Sequence, residues 1–192
     1  MVLGGLPPTV DWRAWGRNNK MRNLMKKVYL SLGSNVGDRA QNIARAIDAL
    51  GRRGIRVTRQ SSLYETEPID ALGGWFLNSV VEAETGLMPM QLLSALLAVE
   101  RSLGRQRGPH SNGPKAARTI DLDILLFGSS VVHAPDLEIP HPRLAERRFV
   151  LVPLAEIAGA VQHPVFNKSI AELLVATSDR SQVRKFEPSK AT

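Results

Sequence analysis

Asp121, Leu122 and Asp123 stand inside an apolar run at residues 120–127. Extended backbone alternates its side chains between two faces. The two carboxylates therefore project side by side from one face, while Leu122, Ile124 and Leu126 fill the other. Adjacent carboxylates repel each other and need compensation. A hard cation such as Mg²⁺ supplies it, taking carboxylate oxygens and keeping positions open for phosphate oxygens. The same pattern also suits an acidic face on a solvated edge strand. The pair alone does not choose between the two.

The surroundings favour an anion. Upstream lie Arg101, Arg105, Arg107, Lys115 and Arg118, with no acid between Glu100 and Asp121. Downstream come His141, Arg143, Arg147 and Arg148. Arginine forks match phosphate oxygens in bidentate geometry. Carboxylates flanked in sequence by arginine-rich loops suit a metal–polyphosphate site. A third group is aromatic and amide-bearing: Trp75-Phe76-Leu77-Asn78 follows a Pro/Gly loop, and Phe149 follows the second arginine cluster. Two aromatic rings can flank a flat heterocycle, and an Asn amide can read its donor and acceptor edge. Core packing accounts for Phe76 and Phe149 equally well. His141 lies in the turn Ile139-Pro140-His141-Pro142, where a structural role competes with a ligand role. Gly33-Ser34-Asn35 lacks the Gly-x-x-x-x-Gly-Lys-Ser/Thr pattern, which excludes a P-loop. His133 and His163 have no partners at metal-ligand spacing.

The elements that must position these groups follow from periodicity. Residues 28–32 read as a strand and residues 33–35 as a loop. Residues 38–50 read as an amphipathic helix with Ile43, Ile47 and Leu50 on one face, ended by Gly51 and Gly54. Residues 55–64 read as a strand, 65–74 as a loop and 76–85 as a strand. Pro89 suits the first turn of a second helix whose stripe is Leu92, Leu93, Leu96, Leu97 and Leu103. A basic loop at 105–118 leads to the strand at 120–127. A hairpin return at 129–139, short helix and irregular chain at 143–158 and a last short helix at 169–176 complete the chain. The order βαββαβ with appendages predicts an α+β, ferredoxin-like antiparallel sheet with helices packed on it and a C-terminal hairpin and helix appended.

The chain has 192 residues, 43% hydrophobic and 22% charged, which suits one folded domain. It has no cysteine, so disulfides, thiol nucleophiles and Cys-ligated metals are excluded. No apolar stretch reaches the length of a membrane span. The net charge of +7 is concentrated at the ends: residues 1–27 carry six basic groups and one acid, and residues 179–192 four and two. Residues 28–178 carry fifteen of each sign. A nucleic-acid-binding body would itself be basic. The expected division is a disordered basic leader at 1–26, a catalytic domain at 27–178 and a flexible basic tail at 179–192.

These residues together resemble the 6-hydroxymethyl-7,8-dihydropterin pyrophosphokinase family of folate biosynthesis. The matching pieces are LGSNVGDR at 32–39, LYETEPI at 63–69, FLN at 76–78, GRQR at 104–107, RTIDLDILLFG at 118–128 and PHPRLAERRFVLVPLAEIA at 140–158. They span about residues 28–175, and the stretch around the Asp pair, with Pro-His some twenty residues on, is the most specific. The resemblance implies transfer of the β,γ-diphosphoryl group of ATP to the pterin hydroxymethyl oxygen, leaving AMP, with two Mg²⁺ ions. It implies Asp121 and Asp123 as metal ligands, and catalytic roles for Arg105, Arg118, Asp121 and Asp123. ATP contacts fall on Arg105, Arg107, Lys115, Arg118, Ile124, His141 and Arg147. Pterin contacts fall on Thr66, Glu67, Ile69, Phe76, Asn78 and Phe149. The family's Trp-Gly-Pro-Arg ahead of the Asp pair is Lys115-Ala116-Ala117-Arg118 here. A monomer in the cytoplasm, acting on small molecules with no nucleic acid and no membrane, is expected. The competing readings are a ferredoxin-like nucleic-acid module and a weakened ATP-binding relative.

Overall fold

In the computed structural model, which describes residues 25–67, 74–105 and 118–187, the apolar run after Met25 forms β1 (Lys26–Ser34). Gly33 and Ser34, expected in a loop, continue this strand. Asp38 caps α1 (Arg39–Gly51) by accepting the Gln41 N–H at 3.0 Å. A turn through Gly54, at φ +75°, leads into β2 (Ile55–Gln60). Then come β3 (Tyr64–Thr66), β4 (Phe76–Thr85) and α2 (Pro89–Ser102), with Pro89 in its first turn. β5 (Asp121–Phe127) is followed by the hairpin β6 (Val132–Ala134) and β7 (Leu137–Ile139). A 3₁₀ turn (Leu144–Glu146), α3 (Arg148–Ala158), α4 (Ile170–Ala176) and β8 (Val183–Lys185) complete the described chain.

The main sheet of the described residues is antiparallel, in the order β5-β1-β4-β3-β8, with β2 also paired to β4. β2 and β3 lie end to end along one edge of β4. The single strand expected at 55–64 is broken at Ser61, whose Oγ accepts the Val80 N–H at 3.0 Å and so substitutes a side chain for a ladder bond. The tail expected at 179–192 is instead, at Val183–Lys185, an edge strand on β3.

Both faces of the sheet are buried. Val28, Leu30, Leu32, Leu77, Val81, Leu122 and Ile124 meet Ile43, Ala46 and Leu50 of α1 and Leu92, Leu96 and Val99 of α2 in one core. Tyr29, Val80, Leu125 and Leu126 meet Val150, Leu151, Leu154 and Ile157 of α3 and Ile170 and Leu173 of α4 in a second. The expected appendage is therefore a structural layer. Of the leucine stripe expected on α2, Leu92 and Leu96 are buried, while Leu93, Leu97 and Leu103 are half-buried. Leu126 departs from the alternation expected of β5. A bulge opposite Tyr29 and Leu30 inserts Leu125, which turns Leu126 to the second core while Leu122 and Ile124 stay in the first.

Leu154 is fully buried in the second core. Leu154→Ala should lower the unfolding free energy by about 2–5 kcal/mol, as large as the loss from Leu96→Ala on the other face. Urea denaturation checks this, and a near-zero change for Leu154→Ala would show that the α3–α4 layer is dispensable.

Candidate active site

Asp121 lies opposite Gly33, and Asp123 opposite Ser31, across the β5–β1 pair. Gly33 is in turn opposite Asn78 on β4, and Ser31 opposite Val80. Residues directly opposite share a face. Asp121, Gly33 and Asn78 thus make one row across the sheet, and Asp123, Ser31 and Val80 the next. Val80 places both rows on the face covered by α3. Gly33 is required by this row: a Cβ there would sit 2.7 Å from Asn78 Oδ1. Asn78 is buried, and its Nδ2 donates to the buried Thr66 Oγ1 at 2.7 Å, which fixes the amide with Oδ1 over Gly33. Phe76 lies two residues from Asn78 on the same side of β4. Phe76 and Phe149 are both half-buried, and neither stacks on another ring among the described residues.

The carboxylates sit in a charged network. Arg105 bridges Glu100 and one oxygen of Asp121, and Arg118 pairs with the other oxygen. Glu100 is buried on α2, and its Oε1 also accepts the Leu122 N–H at 2.9 Å. One glutamate thereby joins helix, strand and arginine. Arg118 is held by Asn35, whose Oδ1 accepts the Arg118 N–H at 2.6 Å and whose N–H donates to the Arg118 carbonyl at 3.1 Å. Asn42 Nδ2 steadies that turn by donating to Ser34 Oγ at 3.3 Å and to the Val36 carbonyl at 2.9 Å. Asp123 is half-buried beside Asp121, and desolvation first and that like charge second push its carboxyl up to about 6. Arg147 and Arg105 oppose the shift.

Arg147 faces this pair from the chain before α3, with its guanidinium 5.6 Å from the Phe149 ring centroid. Burial and then Arg143 lower its pKa, and Asp123 and Asp121 oppose them. Its Nε is buried without a hydrogen-bond partner. An anionic oxygen would satisfy that donor. His141 is tied to the bulge, since its N–H donates to the Leu125 carbonyl at 3.0 Å. Its Nδ1 accepts the Arg143 N–H at 3.1 Å, so the neutral ring carries its proton on Nε2. Burial, Arg147 and Arg143 push its pKa down to about 4.

Among the described residues no three His, Cys, Asp or Glu side chains converge as a metal cage. Two carboxylates with positions left for water and phosphate oxygens are nonetheless the donor set that suits Mg²⁺. The raised carboxyl of Asp123 marks a place where added positive charge is favourable. The residues present fit the ion.

The structure brings Arg105, Arg118, Asp121, Asp123, His141 and Arg147 into one electrostatic cluster, and Thr66, Phe76 and Asn78 onto the adjoining strands. Glu67 follows β3, with its N–H directed to the Gln182 carbonyl at 3.4 Å. Ile124, expected among the ATP contacts, has its side chain buried in the first core, on the opposite face from Asp121 and Asp123, so only its main chain borders the carboxylate face. Strand alternation requires this of any residue next to Asp123. Ile69, Arg107 and Lys115 lie outside the described residues. Glu100, Asn35 and Arg39 were missed as site residues. Glu100 was visible as a lone acid on an apolar helical stripe. Arg39 donates to the Trp75 carbonyl at 2.8 Å and pairs with Glu65 at 2.7 Å, joining α1 to the strand that carries Phe76.

The depressed pKa of His141 gives a pH test. The unfolded ring takes a proton near pH 6.5 and the folded ring only near 4. The stability this ring contributes is complete above about pH 6.5 and falls as pH drops toward 4. Ring ¹⁵N shifts should show His141 neutral from pH 8 to about 5, and a midpoint near 6.5 would contradict the half-buried, cation-flanked placement.

Comparison with known proteins places this cluster in a family. The 7,8-dihydro-6-hydroxymethylpterin-pyrophosphokinase family model matches residues 29–159. The 2-amino-4-hydroxy-6-hydroxymethyldihydropteridine pyrophosphokinase of Bacillus subtilis (strain 168) is 44% identical over 136 residues, covering 70% of this chain and 79% of that protein. The folic acid synthesis protein fol1 of Pneumocystis carinii is 44% identical over 147 residues, covering 75% of this chain. The mitochondrial folate synthesis bifunctional protein of Pisum sativum is 44% identical over 135 residues, covering 70%. The chain spans only 19% and 25% of those two larger relatives. A crystal structure of Plasmodium falciparum HPPK-DHPS shares the fold, with a TM-score of 0.64 at 16% identity over 79% of this chain and 45% of that one. The match runs from β1 to the end of α3 and includes both aspartates, the arginines around them and the strand row through Asn78, and the chain belongs to the 7,8-dihydro-6-hydroxymethylpterin-pyrophosphokinase family.

Proposed function

We propose that this chain transfers the β,γ-diphosphoryl group of ATP to the hydroxymethyl oxygen of 6-hydroxymethyl-7,8-dihydropterin. The products are AMP and the pterin diphosphate, an intermediate of folate biosynthesis. The observation that carries the reading is the row Asp121–Gly33–Asn78. It sets a carboxylate pair bordered by arginines two strands from a buried amide and an aromatic ring. A polyphosphate site and a heterocycle site are thus built on one sheet face.

Each group has a part. Asn78, fixed by Thr66, reads the edge of the pterin, and Phe76 and Phe149 flank its faces. Arg105, Arg118 and Arg147 hold phosphate oxygens, and the unpartnered Arg147 Nε gains an acceptor. His141 donates from Nε2 to the nucleotide. Its low pKa makes it a poor base, so its role is binding. Asp121 and Asp123 would hold Mg²⁺, two ions on the family pattern, which supplies charge neutralisation on the phosphate oxygens. The pterin hydroxyl oxygen bonds to the β-phosphorus, its proton passing to water, as the bond from that phosphorus to the α–β bridging oxygen breaks. AMP leaves with that oxygen. Transfer of this kind depends on in-line positioning and charge stabilisation more than on a covalent nucleophile. No helix among the described residues is long and apolar enough to cross a membrane.

The test is AMP release from ATP and Mg²⁺, with and without the dihydropterin. Pterin-dependent AMP is expected. Asp123→Asn should reduce it by more than about 100-fold, since even partners one step removed from a metal cost 10–100-fold. AMP formation that ignores the pterin, or full activity in Asp123→Asn, would overturn the assignment.

A further inference from the structure

β3 and β4 meet over a short ladder in which Tyr64, Glu65 and Thr66 stand opposite Asn78, Leu77 and Phe76. The outermost pair, Thr66 with Phe76, carries two of the groups placed around the pterin. A strand end is where a sheet opens most readily. What holds this end lies on the other face of the sheet. Leu77 belongs to the first core, so Glu65, directly opposite it, is on the α1 side. Arg39, the first residue of α1, reaches across that face. One terminal nitrogen donates to Glu65 Oε1 on β3 at 2.7 Å. The other donates to the Trp75 carbonyl, one residue ahead of β4, at 2.8 Å. The root of this fork is fixed, because Asp38 caps the helix and Ile43, Ala46 and Leu50 bury it against the sheet. Arg184 stands opposite Glu65 on β8, and its guanidinium lies 4.8 Å over the Trp75 ring. Trp75 is thereby held twice, at its carbonyl and at its ring.

A planar guanidinium bonds two acceptors at a fixed separation, which a single ammonium does not. We propose that Arg39 is a positioning residue for the pterin. Its fork sets the spacing of the β3 and β4 ends, and with it the placing of Thr66, Asn78 and Phe76 on the opposite face. This role rests on the assignment of those three residues to the pterin. The fork lies behind the sheet from Asp121 and Asp123 as well, since these share the face of Asn78. Its loss should therefore fall on the pterin and not on ATP.

Arg39→Lys keeps the charge and removes the fork. In the full chain with Mg²⁺ it should raise the KM for the dihydropterin about fivefold, between the worth of an exposed ion pair and that of an interior hydrogen bond to a charged group. The KM for ATP should stay within about twofold, as expected when binding to only one substrate is lost. With no substrate present, hydrogen exchange followed by mass spectrometry should be faster at residues 64–66 and 76–78 and unchanged in β5. Glu65→Gln, which preserves shape and one acceptor oxygen, should show the same pattern at smaller size and guards against misfolding of the lysine variant. A wild-type KM for the dihydropterin in Arg39→Lys, an equal rise in both KM values, or unchanged exchange at the two strand ends would overturn the role of Arg39. Exchange needs no substrate, so this failure is distinct from failure of the proposed reaction, in which the wild-type chain itself makes no pterin-dependent AMP.

Discussion

Two carboxylates of like charge, on the order of 7 Å apart along one strand face, are the constraint around which the rest is arranged. Neither can be relieved by turning away, because β5 is locked to β1 on one side and packed on α2 through Leu122 and Ile124 beneath. Arg105 and Arg118 take both oxygens of Asp121, and Asp123 is left as the carboxyl that burial and its neighbour push upward. The compensation is itself scaffolded. Glu100 fixes Arg105 from the helix, and Asn35 fixes Arg118 from the turn after β1. The site is therefore strained toward positive charge before any ligand arrives.

That arrangement needs a sheet covered on both sides. One core, under α1 and α2, supplies the rigidity that keeps β1, β4 and β5 in register. The other, under α3 and α4, brings Arg147, Phe149 and the His141 turn over the same face as the aspartates. The bulge at Leu125 links the two. It hands Leu126 to the second core and frees a carbonyl that anchors His141. Gly33 completes the row by leaving space for the Asn78 amide.

Much of this was legible in the sequence for physical reasons. Strict alternation through Asp121-Leu122-Asp123 fixes the carboxylates on one face, and helical spacing identifies α1 and α2. Phe76, Asn78 and Phe149 were readable as a pair of rings and an amide. Their placement on one face depended on register, which no local pattern states. The bulge was hidden because Leu125 and Leu126 are both apolar and suit either face. Ser61 ended a strand through a side-chain hydrogen bond that β-propensity does not register. β8 is three residues in a charged stretch, and only its pairing with β3 makes it a strand. Glu100 was overlooked because a lone acid on a helix usually faces solvent, whereas here it is buried, accepts the Leu122 N–H and pairs with Arg105.

The central claim is that the aspartate pair and its arginines form one site completed by a cation and a polyphosphate. Calorimetric titration of a non-hydrolysable ATP analogue, with Mg²⁺ and again in EDTA, tests it most directly. Two aspartates facing the phosphates should repel them without the ion, so affinity should rise at least about tenfold with Mg²⁺, equivalent to about 1.4 kcal/mol. Equal affinity in the two titrations would contradict the account.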